Sequence, residues 1–305
     1  MTGFELLKNN MSDFSNSFKS GLRIADTVQK LLMINIGVFL LVRLLSVFSS
    51  LFMSKTFSLI SISYWLAVPA NLSNLMYRPW TVLTYMFYHW DFFHLLFNML
   101  LLFWMGKIFQ QYLGDKKLVS TYVLGGVSGA AVYIAAYNIF PLFTNNLENS
   151  FALGASASVL AITIASATLL PDFPIRLLLI GEVKLKWLAL IIVISDLISI
   201  GGSNAGGHLA HLGGALYGFV YVRKLRSGKD IAAWFTRLLD YFNKTQKPRM
   251  TVHYGKSVSD EEFNMKKKSR EERLDHILDK ISKSGYGSLS QEEKDYLFKA
   301  SKDNQ

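Results

Sequence analysis

Four places in the long apolar stretches of this 305-residue chain carry side chains that could do chemistry. His94 and Asn98 stand four apart in HLLFN, which puts an imidazole and a carboxamide on one helix face. Ser156 sits among small residues in Gly154-Ala155-Ser156-Ala157. His208 and His211 open a third stretch, GHLAHLGG, and Asp196 lies in a fourth. Polar groups inside apolar spans are costly, so each is a functional candidate. A serine hydroxyl becomes a nucleophile when a neutral histidine takes its proton. Attack on a carbonyl then makes an oxyanion, which Asn and His side chains can stabilise. The set therefore suits acyl transfer. Zero Cys excludes disulfides and thiolate chemistry, and the six His form no HExxH or Cys/His cluster, so neither a metal nor a cofactor is expected.

Taken singly, these residues have plainer readings. Ser156 can bond the carbonyl four residues back. His94 and Asn98 can be interhelical glue, and His211 a satisfied structural histidine. His208, three residues earlier on the same helix, could compete with His211 as base. Asp196 reads as buried and paired, or beside an aqueous crevice, rather than catalytic. His89, Trp90 and Asp91 read as interface residues.

These side chains need elements to position them, and composition says in what solvent. The net charge of +10 is unevenly spread: residues 1–222 hold 13 basic and 9 acidic side chains, residues 223–305 hold 19 and 13. The first part is too poor in charge for water, since soluble domains are ~25% charged. A spanning helix takes ~20 mostly apolar residues, and six such runs can be read: 31–53, 92–113, 118–147, 149–171, and two within 187–222 separated by GGSNAGG at 201–207. The fold class is thus an all-α membrane protein, a six-helix bundle with a small soluble helical tail. The N-terminal 30 residues are too long and polar for a tidy signal peptide and read as preceding an uncleaved anchor. Alternate loops carry ten Lys and Arg against two, which by the positive-inside bias places both termini in the cytoplasm. Ser156, the pair His208/His211 and the pair His94/Asn98 then all fall at span ends on the outer side, at matching depth. Ala210, Gly214 and Gly218 form a small-residue face for close helix approach, with Gly154 its expected partner. The aromatic first outer loop, about 54–88, is expected in the membrane interface. Basic residues beside membrane spans, with no interleaved aromatic platform, argue against nucleic acid as a partner.

HLLFN, GAS and AHLGGALYG, in this order at three span ends, resemble the rhomboid family of intramembrane serine proteases over roughly residues 30–225. The resemblance implies Ser156 as nucleophile and His211 as general base, a dyad without an acidic third member. It implies that His94 and Asn98 line the oxyanion site with the Ser156 N–H, and that Arg78 in YRPW is the counterpart of a loop arginine. Two positions depart: Ala157 stands where the family usually has Gly, and Leu160 where it often has an aromatic residue. The expected activity is cleavage of single-span membrane proteins near the outer leaflet, in a bacterial inner membrane with cytoplasmic termini. The alternative is a silent rhomboid-like protein that binds and routes membrane clients.

The domain reading is a cytoplasmic segment 1–30, a membrane domain 31–225, an amphipathic helix and linker 226–268, and a helical hairpin 269–305. The apolar face of Ile231, Trp234, Phe235, Leu238, Leu239 and Phe242, near Arg223, Lys224, Arg226 and Lys229, suits an anionic lipid surface. In the hairpin, Leu274, Ile277, Leu278 and Ile281 can face Leu289, Tyr296 and Leu297, and Ser290 with Glu293 forms a capping box. This tail resembles a short helical tail of some bacterial rhomboid proteins.

Overall fold

The computed structural model describes residues 25–52, 59–177, 181–202, 204–242 and 260–302, in two compact units divided after Thr245. The first unit is built on helices α1 (Thr27–Phe52), α2 (Leu59–Leu66), α3 (Leu72–Tyr77), α4 (Thr81–Thr84), α5 (Phe92–Leu113), α6 (Asp115–Ile139), α7 (Ser156–Leu169), α8 (Leu185–Ser199), α9 (Ala205–Arg226) and α10 (Ala233–Phe242). Their ends follow from local chemistry. Asp26 and Gln29 bond each other's backbone N–H at the head of α1, a reciprocal cap. Asp91 caps α5 by accepting the His94 N–H at 2.8 Å, and Gly114 at φ 83° ends it.

Helix α7 is the axle of the unit. Every residue from Ala157 to Ala167 is buried, among α5, α6 and α9. Glycines let these helices approach backbone to backbone. A Cβ on Gly214 would meet the Ala157 carbonyl carbon at 2.8 Å, and one on Gly218 the Ala161 carbonyl carbon at 2.9 Å. The small-residue face of α9 thus packs on Ala157 and Ala161, not on Gly154. Gly154 instead turns the chain into α7 at φ 112°, and a Cβ there would strike the His94 ring at 2.7 Å.

The outer faces are apolar. Leu40, Leu41, Leu44 and Phe48 of α1, and Ile191, Ile194 and Ile198 of α8, are exposed. A continuous apolar surface of this kind suits lipid, not water. Among the described residues three helices, α1, α5 and α6, are long and apolar enough to cross a membrane. The six uninterrupted spans expected from composition are not all present as such. The run at 118–147 ends its helix at Ile139, before the 3-10 turn Pro141–Asn146. The run at 149–171 spends its first residues on a strand, so α7 has only 14 residues, about 21 Å at 1.5 Å per residue.

Two small sheets tie the loops. Strand β1 (Val68–Pro69) pairs antiparallel with β2 (Phe151–Ala152), Val68 opposite Ala152. Strands β3 (Pro174–Leu177) and β4 (Gly181–Lys184) pair likewise before α8. The described part of the segment 54–88 is folded against the helices. Arg78, 4% exposed, lies over the Tyr64 ring at 3.5 Å and donates to the Tyr64 carbonyl, while Trp65 and Trp80 stack. Tyr85 donates to the Gly126 carbonyl of α6 at 2.6 Å, and Tyr122 to that of Met86 at 2.9 Å. Helix α10 is joined to α6 by an ion pair between Asp240 and Lys116, and leaves Trp234 and Tyr241 exposed.

The second unit holds α11 (Asp260–Ser284) and α12 (Gln291–Lys302), with the turn Tyr286–Ser288 between them. Helix α11 begins nine residues earlier than the hairpin expected at 269, inside the expected linker; 243–259 lie outside the described residues. Ile277 and Leu289 are buried, whereas Leu278 is 47% exposed. Ser290 and Glu293 make both bonds of the capping box, at 2.7 and 3.3 Å, and Lys280 adds an ion pair to Glu293.

Candidate functional site

Ser156 is the first residue of α7. At a helix start the first N–H groups lack intrahelical acceptors, and the helix dipole places partial positive charge there. The approach to it is held from three sides. Gly154 donates its N–H to the Tyr85 carbonyl at 2.9 Å, strand β2 is paired to β1, and the Ala155 N–H donates to Nε2 of His89 at 3.3 Å. His89 is therefore no interface residue: it is 1% exposed, and its ring lies 5.2 Å from that of His94. Burial, and then the charge His94 would carry, push its pKa down to about 4, so it stays neutral and can accept. Of its two neighbours, Asp91 is the cap of α5 and Trp90 lines the cleft described next.

Ser156, His94, Asn98 and His211 line one cleft of about 620 Å³, with Trp90 and Leu160 also in its wall. Asn98 donates to the His94 carbonyl at 2.8 Å, so the two residues sit one turn apart on α5 and both face the cleft. The point where a Gly154 Cβ would stand lies 2.8 Å from Nε2 of His94 and 3.7 Å from Oγ of Ser156. The absence of that side chain brings the two groups together. A hydroxyl, two imidazoles, a carboxamide and free backbone N–H groups thus converge on one space, as a carbonyl-attacking site requires.

His211 does not stand alone. Its Nδ1 is 2.9 Å from Oδ1 of Asp196, and Nδ1 of His208 is 2.8 Å from the same oxygen. Asp196 is 5% exposed, and its Oδ2 has no hydrogen-bond partner among the described residues. The resemblance implied a dyad without an acidic third member; here an acid contacts the second histidine. The three side chains also form a group able to hold a metal ion by type and proximity, which the sequence spacing did not show.

Residues 77–228 match the rhomboid domain family. The chain belongs to the rhomboid family. RHOMBOID-like protein 12, mitochondrial, of Arabidopsis thaliana is 28% identical over 220 residues, covering 68% of this chain and 61% of that protein. Presenilin-associated rhomboid-like protein A, mitochondrial, of Danio rerio is 28% identical over 139 residues, covering 45% and 35%. The chain therefore spans under two thirds of either relative. Both are mitochondrial proteins by name, which corrects the expectation of a bacterial inner membrane. Residues 258–303 match a family of unknown function, DUF6576.

Within this rhomboid domain the two departures from the family pattern have visible surroundings. The Ala157 methyl points at Gly129, where a second Cβ would stand only 2.6 Å away, so α6 supplies the space. Leu160 fills the cleft wall beneath Ser156.

Proposed function

We propose that this rhomboid protein is an intramembrane serine protease that cleaves single-span membrane proteins. The observation that carries the reading is the convergence of Ser156, His211, His94 and Asn98 on one cleft at the N-terminus of a buried helix. In it, Oγ of Ser156 attacks the scissile carbonyl carbon and its proton passes to Nε2 of His211. The C=O electron pair moves onto oxygen, where the Ser156 N–H, His94 and Asn98 receive the charge. His211 then returns the proton to the leaving amine as the C–N bond breaks. Water, deprotonated by the same ring, releases the acyl group from Ser156.

The frame for this chemistry is a six-helix bundle of α1, α5, α6, α7, α8 and α9. Helix α7 is short in this reading because its N-terminus ends within the membrane, at the floor of a cleft open to water. A substrate helix has all its backbone groups bonded, so its bond is reachable only where small or helix-destabilising residues let it unwind. The substrates are accordingly membrane helices with such residues near the leaflet on the cleft side. The exposed apolar face of α10 beside Arg223 and Lys224 suits an anionic lipid surface.

The test is reconstitution in vesicles with a panel of single-span substrates, comparing wild type with Ser156→Ala and His211→Ala, and labelling with a fluorophosphonate. Cleavage and labelling are expected in wild type and lost in both variants. Cleavage that survives Ser156→Ala, or a wild type that binds single-span clients without cleaving or labelling, would overturn the reading; the latter result identifies a silent client-binding protein.

A further inference from the structure

We propose that Asp196 is a positioning residue for His211, and that His208 holds Asp196 in place. The inference rests on the protease reading and assigns a part of that site which a Ser-His dyad lacks. A carboxylate oxygen only accepts, so both rings that meet Oδ1 of Asp196, at 2.9 Å from His211 and 2.8 Å from His208, carry their proton on Nδ1. For His211 this decides the chemistry. With the proton fixed on Nδ1, Nε2 has a free lone pair, and His211 is the ring of the two that lines the cleft with Ser156. Without the acceptor either nitrogen can hold the proton, and the ring can turn about its Cβ.

The carboxylate has a second effect. When Nε2 takes the proton of Ser156 the ring becomes a cation, and an adjacent anion favours that state, the more so away from water. Asp196 takes up no proton in the cycle; it remains the hydrogen-bond acceptor throughout.

His208 explains why the carboxylate stays where it is. The two histidines are three apart on α9 and so share a face, and Asp196 reaches both from α8. Two donors on one oxygen fix the carboxylate more firmly than one, at a helix pair in which α8 ends at Ser199 and α9 begins at Ala205, five residues being left between them. His208 itself is absent from the wall of the Ser156 cleft, so its part is structural support of the carboxylate and not proton transfer.

The test uses the full chain in vesicles, with Asp196→Ala, the nearly isosteric Asp196→Asn, and His208→Ala. Four quantities are read: the rate of fluorophosphonate labelling at Ser156, kcat and KM for a cleaved single-span substrate, the thermal midpoint, and the ¹⁵N shifts of the His211 ring. Both Asp196 variants are expected to label about 10²–10⁴-fold more slowly, with the loss in kcat and not in KM, as for acid removal from a serine triad. In Asp196→Asn, which can present an N–H to the ring, the ¹⁵N shifts are expected to move from the Nδ1–H toward the Nε2–H tautomer. His208→Ala is expected to cost about 10-fold in kcat, the scale of a lost supporting hydrogen bond. Wild-type labelling rates in Asp196→Asn, or an unchanged tautomer, would overturn the positioning role while leaving the protease reading intact. If the wild type does not label, the protease reading fails, and the tautomer comparison still decides what Asp196 does to His211. A variant that lowers the thermal midpoint without changing the tautomer also counts against the proposal, because the acid would then only brace the fold.

Discussion

Gly214→Ala is the sharpest test of how the rhomboid domain holds Ser156 and His211, the proposed nucleophile and base, together. Gly214 lies one helical turn beyond His211 on α9, and its missing side chain faces the backbone of Ala157, the residue after Ser156. An added Cβ would lie 2.8 Å from the Ala157 carbonyl carbon and 3.1 Å from its Cα, and closer still to the carbonyl oxygen. Ordinary contact begins at 3.4 Å, so α7 and α9 must part by at least about 0.6 Å, and there is no flexible side-chain tip to yield instead. Overpacking of this kind costs about 1–3 kcal/mol. The functional cost is larger, because the displaced backbone carries Ser156 on one side and His211 on the other. A misplacement approaching 1 Å lowers a positioned reaction by about 10²-fold. The control is Gly37→Ala, on the exposed face of α1, where an added Cβ meets nothing within 4 Å. There the change removes a helix-weakening glycine and is neutral or stabilising by up to about 1 kcal/mol. Fluorophosphonate labelling rate and thermal midpoint in detergent are measured for both. Labelling within threefold of wild type in Gly214→Ala would refute the backbone-contact argument, and an equal loss in Gly37→Ala would show that any added methyl perturbs the protein.

Three further outcomes follow from the same geometry. Gly154→Ala places a Cβ 2.7 Å from the His94 ring at φ 112°, which costs roughly 1–2 kcal/mol in backbone strain and should slow labelling by about 10-fold or more; unchanged kinetics would remove His94 from the site. The His89 ring protonates near 6.5 when unfolded but only near 4 when folded, so the unfolded state binds more protons between these values. Stability is therefore full above pH 6.5 and falls as the pH drops toward 4, by up to about 3 kcal/mol, and the non-titrating His89→Gln should show a shallower drop in thermal midpoint from pH 7.5 to 4.5; parallel pH curves would contradict this. In the tail, Ser290→Ala breaks the capping box and should cost about 1 kcal/mol, read as faster amide exchange in the first turn of α12, with no change in labelling at Ser156.

Much of the site could be read from the chain because its chemistry and its spacing are local. His94 and Asn98 are one turn apart, Ser156 sits among small residues, and the four-residue spacing of Ala210, Gly214 and Gly218 announces a close helix contact. What escaped the sequence was set by partners far along the chain. The uncharged run 149–171 has no internal signal for where α7 begins; that point is set by the pairing of Phe151 and Ala152 with Val68 and Pro69, more than eighty residues earlier. His89 lies in an aromatic cluster of the kind found at membrane interfaces, and only the fold puts its ring beneath Ala155. Small residues commonly serve helix packing, and the sequence offers Gly154 for it, but a positive φ and the His94 ring both require that glycine, which leaves Ala157 and Ala161 to receive α9.

Asp196 is the most instructive case, because the cost of burying it was legible and its partner was not. An acid in an apolar helix must be paired, and the candidate donors were already in view as His208 and His211, twelve and fifteen residues on. The missing step was the crossing of α8 against α9, which depends on how tightly the chain reverses through GGSNAGG. A helix wheel gives the face of each residue but not the rotation of one helix relative to the next. Once that rotation is known, the pairing follows from elimination: two imidazoles on one face of α9 and one buried carboxylate on α8 bury less uncompensated charge together than apart. The same reasoning explains why Oδ2 is left without a partner among the described residues while Oδ1 has two. The carboxylate is turned to serve both rings with one oxygen, an arrangement that fixes the protons of two histidines. A carboxylate present only to be neutralised would gain more by giving one oxygen to each ring, and that difference is the physical ground for treating Asp196 as part of the site.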